Sequence, residues 1–146
     1  AEAYPLSLAY LDLDHFKEIN DRYGHPIGDK ILAAIAKRIH DQLRADDLFA
    51  RYGGEEFAIV LPDTTLESAI KNAEKITSAI EKRAIPHDAS DISNVVTVSM
   101  GVTTIKPDKN VFSATLIAQA DKSLYQAKTE GRNRIIASEI TCETIA

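Results

Sequence analysis

Two acidic stretches of this sequence carry residues that could do chemistry. "LDLDHFK" holds Asp12 and Asp14, and "RYGGEEF" holds Glu55 and Glu56 directly behind the Gly53–Gly54 pair. Side chains alternate along a strand, so Asp12 and Asp14 fall on one face. One strand-end aspartate beside one hairpin-tip glutamate could chelate Mg²⁺, a hard cation that prefers carboxylate oxygens and phosphates. Gathered carboxylates repel one another. A dication removes that cost and makes room for a phosphate. The same acids read equally as solvated carboxylates at strand ends.

The opposite charge stands further along, in "QAKTEGRNR". Lys128 falls in the last turn of a helix and Arg132 just past Gly131, where basic residues either complement the helix dipole or clamp outer phosphates. Lys17 and the amides opening the short helix could serve inner phosphates. "NDRYGHPIGD" holds Asn20, His25 and Asp29. A carboxylate accepts from N1–H and the exocyclic amine of guanine, and Asn20 can share that edge. Taken alone, Asn20 and Asp29 are a helix-end polar residue and an acid in a helix's first turn, and His25 before a proline is a loop residue.

These residues need elements to position them. "LSLAYLDL" (Leu6 to Leu13) is a short apolar run ending in an acid and reads as a buried strand. "HFKEINDRYG" is a short helix stopped by Gly24. "DKILAAIAKRIHDQL" carries Ile31, Ile35, Ile39 and Leu43 on one face. "DLFARY" and "EFAIVLP" flank the Gly-Gly pair, which suits a hairpin turn whose central positions take φ > 0. "TTLESAIKNAEKITSAIEKR" is amphipathic, with Leu66, Ile70, Ala73, Ile76 and Ile80 inward and Thr64 or Thr65 as its cap. "SNVVTVSMGVTTI" is a β-branched strand, "KPDKN" a loop, "FSATLIAQADKSLYQAKTEG" a third long helix closed by Gly131, and "NRIIAS" a last short strand. The order predicts an α+β fold, a mostly antiparallel central sheet flanked by helices, with the end of the first strand beside the hairpin tip.

Composition narrows the classes. The 146 residues suit one domain, expected here over 1–146 with a tail from 138. They are 45% hydrophobic and 27% charged, as in a globular chain. A net charge of −5 argues against general nucleic-acid binding but leaves room for one phosphate ligand. No apolar run approaches the ~20 residues of a membrane span. The single cysteine, Cys142, allows no internal disulfide and fits a reducing cytosol. The chain opens on alanine, which suggests a piece of a longer protein.

Taken together, "LDLDHFKEINDRYGHPIGD", "RYGGEEF" and "SLYQAKTEGRNR" resemble the GGDEF domain of diguanylate cyclases, from about Leu6 to Ile136. The resemblance implies a fold similar to nucleotidyl cyclase and polymerase palm domains. It makes Asp12 and Glu55 ligands of Mg²⁺ or Mn²⁺ with the Leu13 carbonyl, Glu55 also assisting deprotonation of a ribose 3′-hydroxyl. Glu56 would touch a second ion or balance Lys128, and Phe57 would point into the core. GTP would be held by Phe16, Lys17, Asn20, His25, Asp29, Gly53, Gly54, Lys128 and Arg132. The implied reaction condenses two GTP into cyclic di-GMP, and the need for two facing nucleotides implies a transient homodimer.

"RADDLFARYGGEEF" adds Arg44 and Asp47 ahead of the hairpin. Their spacing resembles the family's RxxD product-inhibition site, with Lys75 where some members carry a second arginine. Lysine keeps the charge and loses the fork. Without a ligand, Arg44 and Asp47 read as a helix-end base pairing with an acid. Only "AEAYPLS" precedes the first strand, where the family usually carries a D-x-L-T-G-L-x-N-R segment. A sensory or receiver domain is expected upstream in the full protein. The competing readings are a silent module that binds GTP or cyclic di-GMP, which loss of Asp12 or Glu55 would have favoured, and a mixed-purine cyclase, which Asp29 argues against.

Overall fold

The structure is a computed structural model describing residues 4–87, 94–106 and 113–140. The order along the chain is β1 (Leu6–Leu13), α1 (Phe16–Tyr23), α2 (His25–Asp41), β2 (Leu48–Arg51), β3 (Glu56–Pro62), α3 (Leu66–Arg83), β4 (Val98–Ile105), α4 (Ser113–Thr129) and β5 (Ile135–Glu139). The strands form one sheet in the order β2-β3-β1-β4-β5. The pairings β2–β3, β3–β1 and β1–β4 are antiparallel, and β4–β5 is parallel. The α+β architecture is as expected, with a mixed rather than purely antiparallel sheet. A parallel neighbour needs a crossover, and α4 supplies it.

β1 is the middle strand and is covered on both sides, which explains its unbroken apolar run. Ala9, Leu11 and Leu13 face a core shared with Ile19, Ile35, Ile39, Phe57 and Ile76. Leu8 and Tyr10 face a smaller core with Leu116, Ala120 and Leu124 of α4. At Gly101 a Cβ would run into the backbone of Ala120 and Leu124. The absence of a side chain there is what lets α4 lie on β4. Thr65 caps α3, its hydroxyl accepting from the Ser68 N–H at 3.2 Å. Of the inward set expected on α3, Ala73, Ile76 and Ile80 are buried and Leu66 and Ile70 half-buried.

Three boundaries differ from the sequence reading. α2 begins at His25, not Asp29, with Pro26 in its first turn. Proline lacks the N–H that a first turn cannot satisfy, and its φ suits a helix start. Gly24 (φ 87°) alone separates α1 from α2. His25 is therefore helical, and Asp29 falls beyond the first turn. β4 begins at Val98, preceded by a bridge between Pro86 and Val95. β5 runs through Ser138 and Glu139, and the buried Ile140 N–H bonds to the Thr104 carbonyl at 2.9 Å. The chain is thus anchored beyond 138. Cys142, Phe112, Ser93 and the 107–110 stretch of the expected loop lie outside the described residues.

Candidate active site

The β1–β3 register sets Asp12 opposite Glu56. One step on, the Leu13 N–H reaches the Glu55 carbonyl at 3.4 Å. The hairpin tip therefore lies across the end of β1, as the sequence reading required. The Arg51 guanidinium braces the tip, donating to the carbonyls of Gly53 (3.2 Å) and Gly54 (2.9 Å). Tyr52 stacks on Tyr10 at 5.5 Å between ring centroids. The two glycines do not take the φ > 0 expected of the turn, which among the described glycines is seen at Gly24 and Gly131. A Cβ on Gly54 would meet nothing within 4 Å, and one on Gly53 would make only ordinary contact with Glu56, the nearest atom at 3.6 Å. The hairpin does not need them for its own turn. They leave the main chain bare to approach from outside.

Asp12 is 4% exposed and ion-paired with Lys128 of α4. Its Oδ1 is buried with no hydrogen-bond partner. Burial raises its pKa to about 6; the Lys128 hydrogen bond and charge pull it down, and the carboxylates of Glu55 and Glu56 push it up. Lys128, expected on outer phosphates or opposite Glu56, thus stands on Asp12. The donor set suits a hard divalent cation: carboxylate oxygens, one of them buried and unused, held near two further carboxylates. Among the described residues no three Asp, Glu, His or Cys side chains converge on one point. Asp12, Glu55 and Glu56 are the carboxylates this end of the sheet brings near one another.

Asp14 is different. Its carboxylate accepts from the hydroxyls of Thr97 (2.7 Å) and Ser99 (2.6 Å) and from the Asn133 N–H (3.0 Å). It ties β1 to β4 and to the turn after α4, and is not available as a ligand. That turn is tightly wound: Arg132 and Asn133 both have positive φ, and the Arg132 N–H returns to the Ala127 carbonyl at 2.9 Å. Asp14 thereby positions the segment carrying Arg132. His15, also at positive φ, opens α1, and its carbonyl receives the buried His87 Nε2 at 3.2 Å. Arg51, Tyr10, Tyr52, Thr97, Ser99 and His87 went unnoticed in the sequence. The alternating hydroxyls of "VTVSM" were the available signal, since polar residues on an apolar strand imply a buried partner.

The remaining candidates divide. Phe16 is buried in the core beside Gly28, while Lys17, His25 and Asp29 are exposed around the α1–α2 junction. Asn20 meets that junction with an unpartnered buried Oδ1, aimed where a Cβ on Gly28 would stand. No hydrogen bond joins Asn20 to Asp29 among the described residues.

On the opposite flank, Arg44 and Asp47 pair through their side chains at 3.0 Å. The Arg44 N–H also donates to Asp47 at 2.7 Å, and the guanidinium donates to the Pro62 carbonyl and to Thr64 Oγ1, both at 2.9 Å. The hydrogen bond and charge of Asp47 push the arginine pKa further up. Lys75 lines the same open groove of about 340 Å³. The structure thus brings the three expected inhibitory-site residues to one place, with the Arg44 fork already used inside the chain.

Residues 1–134 match the family model described as diguanylate cyclase, GGDEF domain. The chain is 41% identical over 134 residues to diguanylate cyclase A of Treponema denticola, covering 92% of this chain and 35% of that protein. It is 40% identical over 134 residues to the response regulator PleD of Caulobacter vibrioides (strain NA1000 / CB15N), covering 90% and 29% respectively. The chain therefore spans about a third of the length of these relatives. In structure it resembles the GGDEF domain of DgcB from Caulobacter crescentus, crystallised in complex with c-di-GMP, with a TM-score of 0.80, 32% identity, and coverage of 91% of this chain and 77% of that one.

Proposed function

The chain belongs to the GGDEF family of diguanylate cyclase domains, and from this premise we infer that it condenses two molecules of GTP into cyclic di-GMP, releasing two pyrophosphates. One observation carries the reading: Asp12, buried at the end of β1 with an unused oxygen, lies against the Glu55–Glu56 hairpin tip. A divalent cation, Mg²⁺ or Mn²⁺, would be held by Asp12, Glu55 and the Leu13 carbonyl, with Glu56 at a second position. When bound it lowers the pKa of the attacking hydroxyl and offsets charge on the phosphate.

Glu55 accepts the proton of the ribose 3′-hydroxyl. The freed oxygen attacks the α-phosphorus of the facing GTP, and the bond to pyrophosphate breaks. Lys17 and Arg132 hold phosphate oxygens, and Lys128, beside Asp12, would hold them too. Asp29 accepts from the guanine N1–H and amine, with Asn20 on the same edge, His25 near the nucleoside, and Phe16 fixing the start of α1. The bare backbone of Gly53 and Gly54 lets the nucleotide lie against the hairpin.

One chain presents one such constellation, so closing the ring takes two domains turned to face each other. Their encounter is transient, since each carries −5. Product bound at Arg44, Asp47 and Lys75 would inhibit. An upstream sensory or receiver domain would bring two copies together, on the cytoplasmic side where GTP is found. Among the described residues no helix is long and apolar enough to cross a membrane. The test is incubation with GTP and Mg²⁺ at two protein concentrations, with the product identified by mass. Cyclic di-GMP formed at a specific activity that rises with concentration is expected. No product at either concentration, in a chain that binds GTP, would leave a silent binding module.

A further inference from the structure

In a chain of net charge −5, the surface between α2 and α3 is basic. Lys71, Lys75 and Lys82 recur at helical spacing on α3 and share one ridge. Arg38 of α2 and Gln42, just past its end, face them across an open groove of about 570 Å³, in which Glu74 is the one acid among the described residues. Lys71 leans toward Glu67 at 3.4 Å, an exposed pair that water and salt screen. Arg38, Lys75 and Lys82 make no hydrogen bond or ion pair among the described residues.

Gln42, Lys71 and Lys75 also line the groove that holds Arg44 and Asp47, so the two grooves are continuous. Along them Arg44 has its guanidinium engaged by Asp47, Pro62 and Thr64. A second guanidinium along them, that of Arg38, lies half-buried on the neighbouring helix with no hydrogen bond or ion pair among the described residues. Lys75 and Lys82, seven residues apart, stand about 10 Å apart along α3. That span suits an anion charged at two points better than a single phosphate.

We propose that the α2–α3 groove is an anion subsite continuous with the Arg44–Asp47 groove. Arg38 grips one phosphodiester of a dinucleotide bidentately, and Lys75 and Lys82 complete its charge. The fork that Lys75 lacks is thereby supplied from α2. The ligand class follows the proposed function, whose product is such a dinucleotide, while the groove is read from its own charge and geometry.

Isothermal titration of the intact chain with cyclic di-GMP tests this. Arg38→Gln and Lys82→Gln should each weaken binding by about tenfold. Lys37→Gln, which removes an exposed α2 charge outside the groove, should change it by less than about twofold. Helical content by circular dichroism confirms that each variant folds. Equal losses in all three would reduce the effect to net charge, and an Arg38→Gln chain binding like the parent would overturn the subsite, as would no binding by the parent. Synthesis from GTP, measured in parallel on the parent, separates the two readings. Turnover without Arg38-dependent binding defeats the subsite alone, and binding without turnover defeats the cyclase reading alone.

Discussion

Two aspartates near the end of β1 are both buried and are treated in opposite ways. On the β4 side, Asp14 receives three hydrogen bonds from Thr97, Ser99 and Asn133. On the hairpin side, Asp12 has one lysine, one oxygen with no partner, and two further carboxylates near enough to raise its pKa. A buried acceptor left unmade costs about 1–3 kcal/mol. The fold meets that requirement in full at Asp14 and leaves it unmet two residues earlier. The difference separates a carboxylate that builds the molecule from one kept open for a ligand.

The largest effect should come from the open side. Glu55→Gln keeps the hairpin and removes both a cation ligand and the proton acceptor. Synthesis of cyclic di-GMP should fall by about 10³-fold or more, with the thermal unfolding midpoint nearly unchanged. Product quantified by mass after incubation with GTP and Mg²⁺ gives the answer. Turnover near that of the parent would move the chemistry away from the hairpin tip.

The next prediction reverses the roles. Asp14→Ala strands two buried hydroxyls and an N–H, and should cost about 3 kcal/mol of stability. Asp12→Asn removes a strained charge and should cost far less in urea unfolding with a chelator present. If the Asp12 variant were the less stable of the two, the contrast between them would be lost.

Local patterns made the elements legible and left this contrast hidden. Ile31, Ile35 and Ile39 announce a helix face, and "RYGGEEF" announces a hairpin, because both signals lie within a few residues. Asp14 finds its partners 83, 85 and 119 residues away, and no local period reports such distances. Asp12 and Asp14 therefore looked equivalent on one strand face. The Gly-Gly pair was legible as a turn, but not as one made without φ > 0, since the open space around Gly54 is a tertiary fact. Arg44 and Asp47 were legible as a spacing, but the Pro62 carbonyl and Thr64 hydroxyl that engage Arg44 come from the far end of β3 and the residue before the α3 cap.

Acidity sharpens the comparison. The folded pKa of Asp12 is about 6 against an ordinary 3.8. Between those values the folded chain holds a proton that the unfolded chain has released. Stability from this group is therefore present below about pH 4 and lost as pH rises through about 6. About 2 pH units at 1.4 kcal/mol each make this at most about 3 kcal/mol, less where water reaches the carboxylate. With chelator present, Asp12→Asn should gain on the parent as pH rises from 4 to 7 in urea unfolding. A gap that stays flat across that range would mean that Asp12 is not buried as a charge.

The smallest effect is expected where a satisfied acid lies near the surface. The Asp47 side chain is 1% exposed and its partner Arg44 is 58% exposed. Asp47 thus resembles Asp14 in being fully engaged, but its partner is a solvated side chain rather than two strand hydroxyls. Arg44→Ala removes the guanidinium bonds to Asp47, Pro62 and Thr64 and leaves the main-chain N–H of residue 44 on the Asp47 carboxylate. Water can replace much of the rest. The cost should be about 1 kcal/mol, well below that of Asp14→Ala. It should shrink further in 1 M salt, which screens exposed pairs over about 3 Å. Urea unfolding of both variants at low and high salt measures the two costs together. An Arg44→Ala penalty as large as that of Asp14→Ala, and insensitive to salt, would mean that Arg44 is built into the fold rather than available to a ligand.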